Sequence, residues 1–120
     1  MSQHERGPIV SPWVGDAEMQ ERLEAFVLAL GECIDTLQDL EVSRDYKQLE
    51  AETHRLGVDA VPLGYALLAE AAERVEQACA CLGPDRTAPT KDAAHAVRAA
   101  LVELTDVARR VRLGHRGGVF

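Results

Sequence analysis

One histidine, His54, stands where an imidazole could do chemistry. It belongs to the segment LEAETHRLGVDAV at positions 49–61, whose apolar residues recur at helical spacing, and it lies beside that apolar stripe. A neutral imidazole exposed on a rigid helix is a nucleophile that can accept a group from a partner. The alternative is a solvent-facing histidine with no chemical role. His54 is therefore the first residue to test for chemistry.

Helical spacing also predicts which side chains surround His54. A cation could come from Lys47, about two turns earlier on the same face, or from Arg55, which is turned about 100° away. Glu50, one turn before His54, has the wrong sign for a bound anion and favours the imidazolium form, a poorer nucleophile. The remaining residues of this face are Ala51, Gly57, Val58 and Val61.

This face is the candidate docking surface of the chain. If Val58 and Val61 are exposed, it is a mildly apolar patch with one histidine, which suits protein docking better than small-molecule binding. If both valines pack under the next helix, the patch shrinks and His54 is left nearly alone.

The other titratable residues carry weaker signals. His4 and His115 lie in the predicted tails, and His95 lies beside the apolar stripe of the last helix. Three cysteines form an odd count, which argues against a disulfide framework and favours small buried hydrophobes. They are Cys33, Cys79 and Cys81. Glu50 and His54 are the nearest approach to a metal-binding pair, so we predict neither a metal nor a cofactor.

Composition and charge restrict the class of protein. A chain of 120 residues with 47% hydrophobic residues is long enough for one core and too short for two. The net charge of −7 argues against nucleic-acid binding. No apolar run approaches the roughly 20 residues of a membrane span. Because MSQHERGPIVSP also lacks the hydrophobic core of a signal peptide, we expect a cytoplasmic protein without membrane contact.

One basic cluster is visible in the sequence. We assign it to the last turn and tail of the final helix, where cations complement the helix macrodipole, with an anion-binding tail as the alternative. Its members are Arg109, Arg110, Arg112 and Arg116.

Breakers and apolar stripes divide the chain into an arm, a bundle and a tail. Two glycines and two prolines in residues 1–15 predict an extended arm, with Trp13 laid onto the bundle. Helices are expected over about 16–30, 31–44, 45–63, 65–82 and 90–114. The first two form either one kinked helix or two, the latter giving a short extra helix near the N-terminus.

Each predicted helix has a single apolar face, so the expected fold is all-α. We predict an antiparallel four-helix bundle over residues 16–114, followed by a flexible tail at 115–120. Asp16, the run Ser43-Arg44-Asp45 and Thr90 supply capping groups, while Pro62 and Gly64 end the third helix, with Gly64 able to adopt positive φ.

Residues 49–76, LEAETHRLGVDAVPLGYALLAEAAERVE, resemble the central hairpin of the histidine phosphotransfer (HPt) domains of bacterial phosphorelays. In that family a helix carrying His-x-Leu-Lys-Gly runs into a glycine ten positions past the histidine. His54, Leu56 and Gly64 occupy these positions without a gap. The opening PIVSPWVGDAEMQERLEAFV resembles the N-terminal arm and first helix of HPt domains from planctomycete-type multidomain kinases, and SRDYKQLEAETHRL resembles their run into the histidine.

The resemblance implies an HPt-like fold and a place in a phosphorelay. His54 would accept a phosphoryl group from the receiver aspartate of a response regulator or hybrid histidine kinase, in a monomer without autokinase activity. The chain departs from the family at Gly57 and Val58, which stand where relatives have Lys and Gly. Because the cation and the clearance beside the histidine are both lost, both changes should weaken transfer.

Two further hypotheses follow from this departure and from the fold alone. The chain could be a degenerate HPt-like adaptor that binds a receiver or kinase without chemistry. It could also be a helical dimerisation or scaffold module, which would require a dimer in solution.

Overall fold

Four helices pack side by side into an all-α bundle in the computed structural model, which describes residues 7–82 and 89–118, with side chains through His115. In chain order the helices are α1 (Ala17–Val42), α2 (Tyr46–Ala60), α3 (Ala66–Ala80) and α4 (Lys91–Gly118). A 3₁₀ turn at Val61–Leu63 separates α2 from α3, and the described ranges contain no strand. The four-helix bundle predicted from the sequence is confirmed.

Neighbouring helices run in opposite directions. Residues later in α1 face residues earlier in α4, so these two helices are antiparallel. The facing pairs are Gly31 with Arg112, Gln38 with Thr105, and Glu41 with Arg98. The short turn at Val61–Leu63 reverses the chain between α2 and α3 in the same way. No helix in the described ranges is both long and apolar enough to cross a membrane.

The predicted capping residues begin the helices. The Asp16 carboxylate accepts a hydrogen bond from the Glu18 amide at 2.9 Å, and the Asp45 carboxylate accepts one from the Gln48 amide at 3.2 Å. The Thr90 hydroxyl accepts from the Ala93 amide at 3.1 Å. Each cap satisfies an amide that has no partner within its helix.

The predicted apolar stripes form the core. On α2 and its following turn the whole stripe is buried, and it comprises Tyr46, Leu49, Thr53, Leu56, Ala60 and Leu63. On α3 the buried residues are Leu68, Ala71, Ala72, Val75 and Cys79, and on α4 they include Val97, Leu101, Leu104, Ala108 and Val111. Because these faces meet, each helix is stabilised by its neighbours more than by its own propensity.

The first helix is continuous, so the alternative of two separate helices is wrong. Gly31 lies inside α1, where the guanidinium group of Arg112 covers it from α4. A single glycine is tolerated in a helix when packing holds it in place. The described N-terminal residues contain a turn at 12–15 but no additional helix.

The last helix extends past its predicted end. Gly114 does not stop α4, which continues to Gly118, so the predicted boundary at 114 is wrong and His115 is a half-buried helical residue. The physical reason is packing, because the backbone of Ile9 lies where a side chain at position 114 would stand. Residues 119 and 120, like His4, lie outside the described residues.

The longer α4 also changes the setting of Arg109, Arg110 and Arg112, which lie inside the helix rather than in its last turn. Arg109 pairs with Asp106 at 2.8 Å, and the Arg110 Nε donates to the Gly7 carbonyl at 2.9 Å. Arg109 pairs within α4 and Arg110 joins α4 to the N-terminal arm, so macrodipole complementation at the helix end is not needed to explain them.

The N-terminal arm connects two distant parts of the bundle. The Ile9 amide donates to the Arg110 carbonyl at 2.9 Å, and the Ser11 hydroxyl donates to the Leu63 carbonyl at 2.6 Å. Pro12 lies against Gly64, whose φ of 84° favours glycine. Pro12 therefore occupies the place expected for Trp13, which is 45% exposed, so the prediction that Trp13 packs on the bundle is wrong.

Replacing Gly114 by alanine should lower the free energy of unfolding by about 1–3 kcal/mol, because the new methyl group would overlap the backbone of Ile9. Gly31→Ala is the matched control, since its methyl group would meet Arg112 at an ordinary contact distance of 3.6 Å. That variant should raise the free energy of unfolding by about 0.5–1 kcal/mol through helix propensity. Urea unfolding followed by circular dichroism measures the free energy of unfolding of both variants. Equal effects of the two substitutions would contradict the close contact of the N-terminal arm with Gly114.

Candidate functional site

His54 projects from the middle of α2 into solvent. Thr53 and Leu56 are buried on either side of it in sequence, which fixes the rotation of the helix and turns His54 outward. Its side chain is 64% exposed, as the placement beside the apolar stripe predicts. The histidine is therefore accessible to a macromolecular partner.

A carboxylate from the neighbouring helix holds the imidazole ring. The Nδ1 atom of His54 lies 3.0 Å from Oε2 of Glu76 on α3, whose side chain is 30% exposed. An ionised carboxylate can only accept hydrogen bonds, so this contact favours the tautomer with the proton on Nδ1. The neutral ring then has its lone pair on Nε2, the nitrogen farther from Glu76.

Small residues bring α2 and α3 close enough for this contact. A Cβ added at Gly57 would lie 3.7 Å from the carbonyl oxygen of Ala69 and 3.8 Å from the Cβ of Ala72. Ala60 and Ala72 are fully buried in the same interface. The turn that follows is closed by a 3.1 Å hydrogen bond from the Tyr65 amide to the Ala60 carbonyl. The hairpin is therefore closely packed on the C-terminal side of the histidine.

An open groove between the two helices has His54 at its side. Its volume is about 460 Å³, and its lining residues include Glu50, Gly57, Val58, Val61, Glu73 and Glu76. Val58 is 57% exposed and Val61 is 63% exposed, so neither valine packs under α3. The alternative in which the apolar patch disappears is wrong, and His54 borders an exposed apolar surface.

The charge of the groove is negative. Three carboxylates line it, from Glu50, Glu73 and Glu76, and no lysine or arginine is among its described lining residues. Lys47 and Ala51 are exposed on α2 outside the groove. A phosphoryl group on His54 would therefore meet like charge within the groove.

Arg55 lies on the other side of α2. It lines a separate cavity of about 270 Å³ between α1 and α2, together with Cys33 and Glu52. Of the eight residues that the sequence groups around the histidine, the structure therefore brings together His54, Glu50, Gly57, Val58 and Val61.

The cysteines do not supply a second nucleophile near His54. Burial raises the pKa of the Cys33 thiol, and the carboxylates of Glu52 and Asp59 raise it further, so the thiol stays protonated at neutral pH. Cys79 is buried as predicted, whereas Cys81 is exposed because it caps the end of α3. The described residues also contain no group of three His, Cys, Asp or Glu side chains placed to hold a metal ion.

Glu73 and Glu76 are the site residues that sequence reasoning missed. Glu50 was expected to act on the imidazole, and Glu76, which follows His54 by 22 positions, lies 3.0 Å from its Nδ1. The sequence does contain a signal for this contact. If the chain reverses at Gly64, the middle of α2 lies opposite the second half of α3, where Glu76 is found.

Comparison of the chain with protein-family models, with curated proteins and with solved structures finds no match.

Removal of the Glu76 carboxylate should change the tautomer of His54. In the wild type, ¹⁵N chemical shifts of the ring should show the proton predominantly on Nδ1, because Glu76 accepts it. Glu76→Ala should shift the mixture toward the proton on Nε2. Glu73→Ala removes a carboxylate from the same groove without touching His54, so its spectrum should match the wild type. Identical spectra for all three proteins would show that Glu76 does not select the tautomer.

Proposed function

We propose that this domain is a histidine-containing phosphotransfer protein of a cytoplasmic two-component phosphorelay, with His54 as the phosphoryl acceptor. The observation that carries the proposal is the exposed imidazole whose Nδ1 is held by Glu76 at 3.0 Å. The hairpin resemblance around His54, Leu56 and Gly64 points to the same chemistry. A receiver domain of a response regulator or hybrid kinase is the partner that this chemistry requires.

The proposed step is an in-line displacement at phosphorus. The Nε2 lone pair of His54 attacks the phosphorus of a receiver aspartyl phosphate, an N–P bond forms, and the bond from phosphorus to the aspartate oxygen breaks. The aspartate leaves with the electron pair as a carboxylate. The imidazole ring gains positive charge as it attacks, and Glu76, beside the Nδ1 proton, stabilises that charge.

The partner must supply most of the remaining machinery. No cation lines the described groove, so stabilisation of the transferring phosphoryl oxygens has to come from the receiver side. After transfer, the acidic groove disfavours the phosphorylated state of His54. The phosphohistidine of this protein is therefore a short-lived intermediate that readily passes its phosphoryl group on.

The exposed apolar residues beside His54 suit a docking partner. Val58 and Val61 continue the face of α2 toward the hairpin tip, and Leu67 at the start of α3 is 50% exposed. Apolar surface next to an exposed reactive group favours protein contact over small-molecule binding. The domain is expected to act as a monomer, which the mass in solution would check.

Incubation with phosphorylated receiver domains should label the wild-type protein with acid-labile, base-stable phosphate. His54→Ala should carry no label, while His95→Ala, another exposed histidine, should be labelled as the wild type is. Glu76→Ala should slow labelling by about 10-fold or more, the scale expected when a group that orients a catalytic histidine is lost. If the wild-type protein takes no phosphate label from any cognate receiver, the proposal is wrong.

Restoring the family residues should strengthen transfer. Gly57→Lys adds a cation one turn after His54, and Val58→Gly removes a branched side chain from the exposed face. The backbone at position 57 has room for a Cβ, with its nearest neighbour at 3.7 Å, so the lysine does not break the hairpin. The rate of phosphoryl transfer to His54 should rise in each single variant and should rise most in the double variant. Gly57→Ala is the control for helix propensity, and an equal gain there would exclude an effect of charge.

The acidic groove favours a second candidate, a phosphorelay adaptor that binds its partner without phosphotransfer. It shares the docking surface of the first proposal but makes His54 dispensable. Partner affinity and cellular output that are both unchanged in His54→Ala would favour the adaptor. Lost signalling with intact binding would favour phosphotransfer.

A further inference from the structure

A second cavity lies between the α1–α2 turn and the start of α4. Its volume is about 500 Å³, and basic residues from two parts of the chain line it: Arg44 in the turn, and Lys91 and Arg98 on α4. Glu41 and His95 also line it. We call this cavity the basic cleft, and it shares no lining residue with the groove beside His54.

The charge of the basic cleft is opposite to that of the chain. The whole protein has a net charge of −7, whereas the cleft gathers three permanent cations and one carboxylate. Like charges repel, so collecting them within one cavity costs free energy unless an anion neutralises them. Lys91 and Arg98 lie about two turns apart on α4, and the fold brings Arg44 beside them from the α1–α2 turn.

The ion pair inside the cleft leaves Arg98 partly uncommitted. Its Nε and Nη2 atoms lie 3.4 and 3.3 Å from the same oxygen of Glu41, longer than a well-formed charge-assisted hydrogen bond. The Glu41 side chain is 10% exposed, but that of Arg98 is 64% exposed. The guanidinium group of Arg98 can therefore donate hydrogen bonds from its remaining N–H groups to a ligand while it keeps its contact with Glu41.

Arg44 occupies a position where glycine is the unstrained residue. Its φ is 63°, and among the described residues no other non-glycine residue has a positive φ. The Asp45 amide bonds to the Leu40 carbonyl and the Arg44 amide to the Glu41 carbonyl, which is the pattern of a glycine-ended helix. An arginine at this position has a strained backbone, and its long cationic side chain lines the cleft.

We propose that the basic cleft binds a small phosphate-bearing anion. Two guanidinium groups and one ammonium group approach from the α1–α2 turn and from α4, which matches a tetrahedral anion with several oxygens. The cleft is also large enough for an organic body attached to the phosphate. The site is independent of phosphotransfer at His54, and either proposal can fail without the other.

Titration of the full chain with pyrophosphate, followed by amide chemical shifts and by calorimetry, tests the site. Shifts should concentrate at residues 41–46 and 90–98. Arg44→Gln and Lys91→Gln should each weaken pyrophosphate affinity by about tenfold, the loss expected for one charge-assisted hydrogen bond. Arg22→Gln makes the same charge change near the start of α1, at the opposite end of the bundle, and should leave the affinity unchanged.

Two further variants separate a built site from general attraction. Glu41→Gln removes the competing carboxylate and should raise affinity several-fold. Arg44→Gly should weaken pyrophosphate binding while raising the melting temperature, because glycine relieves the positive φ. Citrate in place of pyrophosphate should bind more weakly if the site prefers phosphate, and equal affinity would overturn that preference. Equal losses in Arg44→Gln and Arg22→Gln, or the absence of any shift at millimolar pyrophosphate, would overturn the site itself.

Discussion

The close approach of α2 and α3 is the constraint on which the candidate site depends. Ala60, Ala69 and Ala72 keep the interface thin, and a Cβ added at Gly57 would lie in ordinary contact with Ala69 and Ala72 across it. Only at this spacing does the Glu76 carboxylate reach the imidazole of His54. Gly57 belongs to the same interface, so the position one turn after His54 also faces α3.

The two charged regions of the molecule have opposite signs and lie on different helix pairs. Glu50, Glu73 and Glu76 make the α2–α3 groove acidic, while Arg44, Lys91 and Arg98 make the cleft at the α1–α2 turn basic. A net charge hides such a division, because it sums residues that the fold separates. The acidic groove suits an exposed nucleophile that keeps its phosphoryl group only briefly. The basic cleft suits an anion that remains bound.

Helix positions and the core could be predicted because both follow from local sequence. Each apolar stripe repeats with the helical period, and each cap depends on a side chain within a few residues of the amide it serves. The exposure of His54 follows from the same periodicity, since Thr53 and Leu56 take the buried positions. For these features, the sequence pattern and the structure agree.

Features that need a partner from elsewhere in the chain could not be predicted in this way. Gly114 is typical of a helix end, yet α4 continues because Ile9 packs against the glycine from 105 residues earlier in the chain. Trp13 is typical of a packed aromatic residue, yet Pro12 takes its place against Gly64. Glu76 and the basic cleft likewise depend on which helices become neighbours. Tertiary contacts of this kind override local pattern.

The N-terminal arm has a consequence for how the chain is made. Its hydrogen bonds join residues 52 and 103 positions apart, whereas α2 and α3 pack mainly on the helices next to them in sequence. During synthesis the first three helices can form and associate as they emerge, but the arm lacks its second partner until the end of α4 leaves the ribosome. The arm precedes all four helices in sequence but is the last of these segments to find its place, and its docking marks a completed bundle.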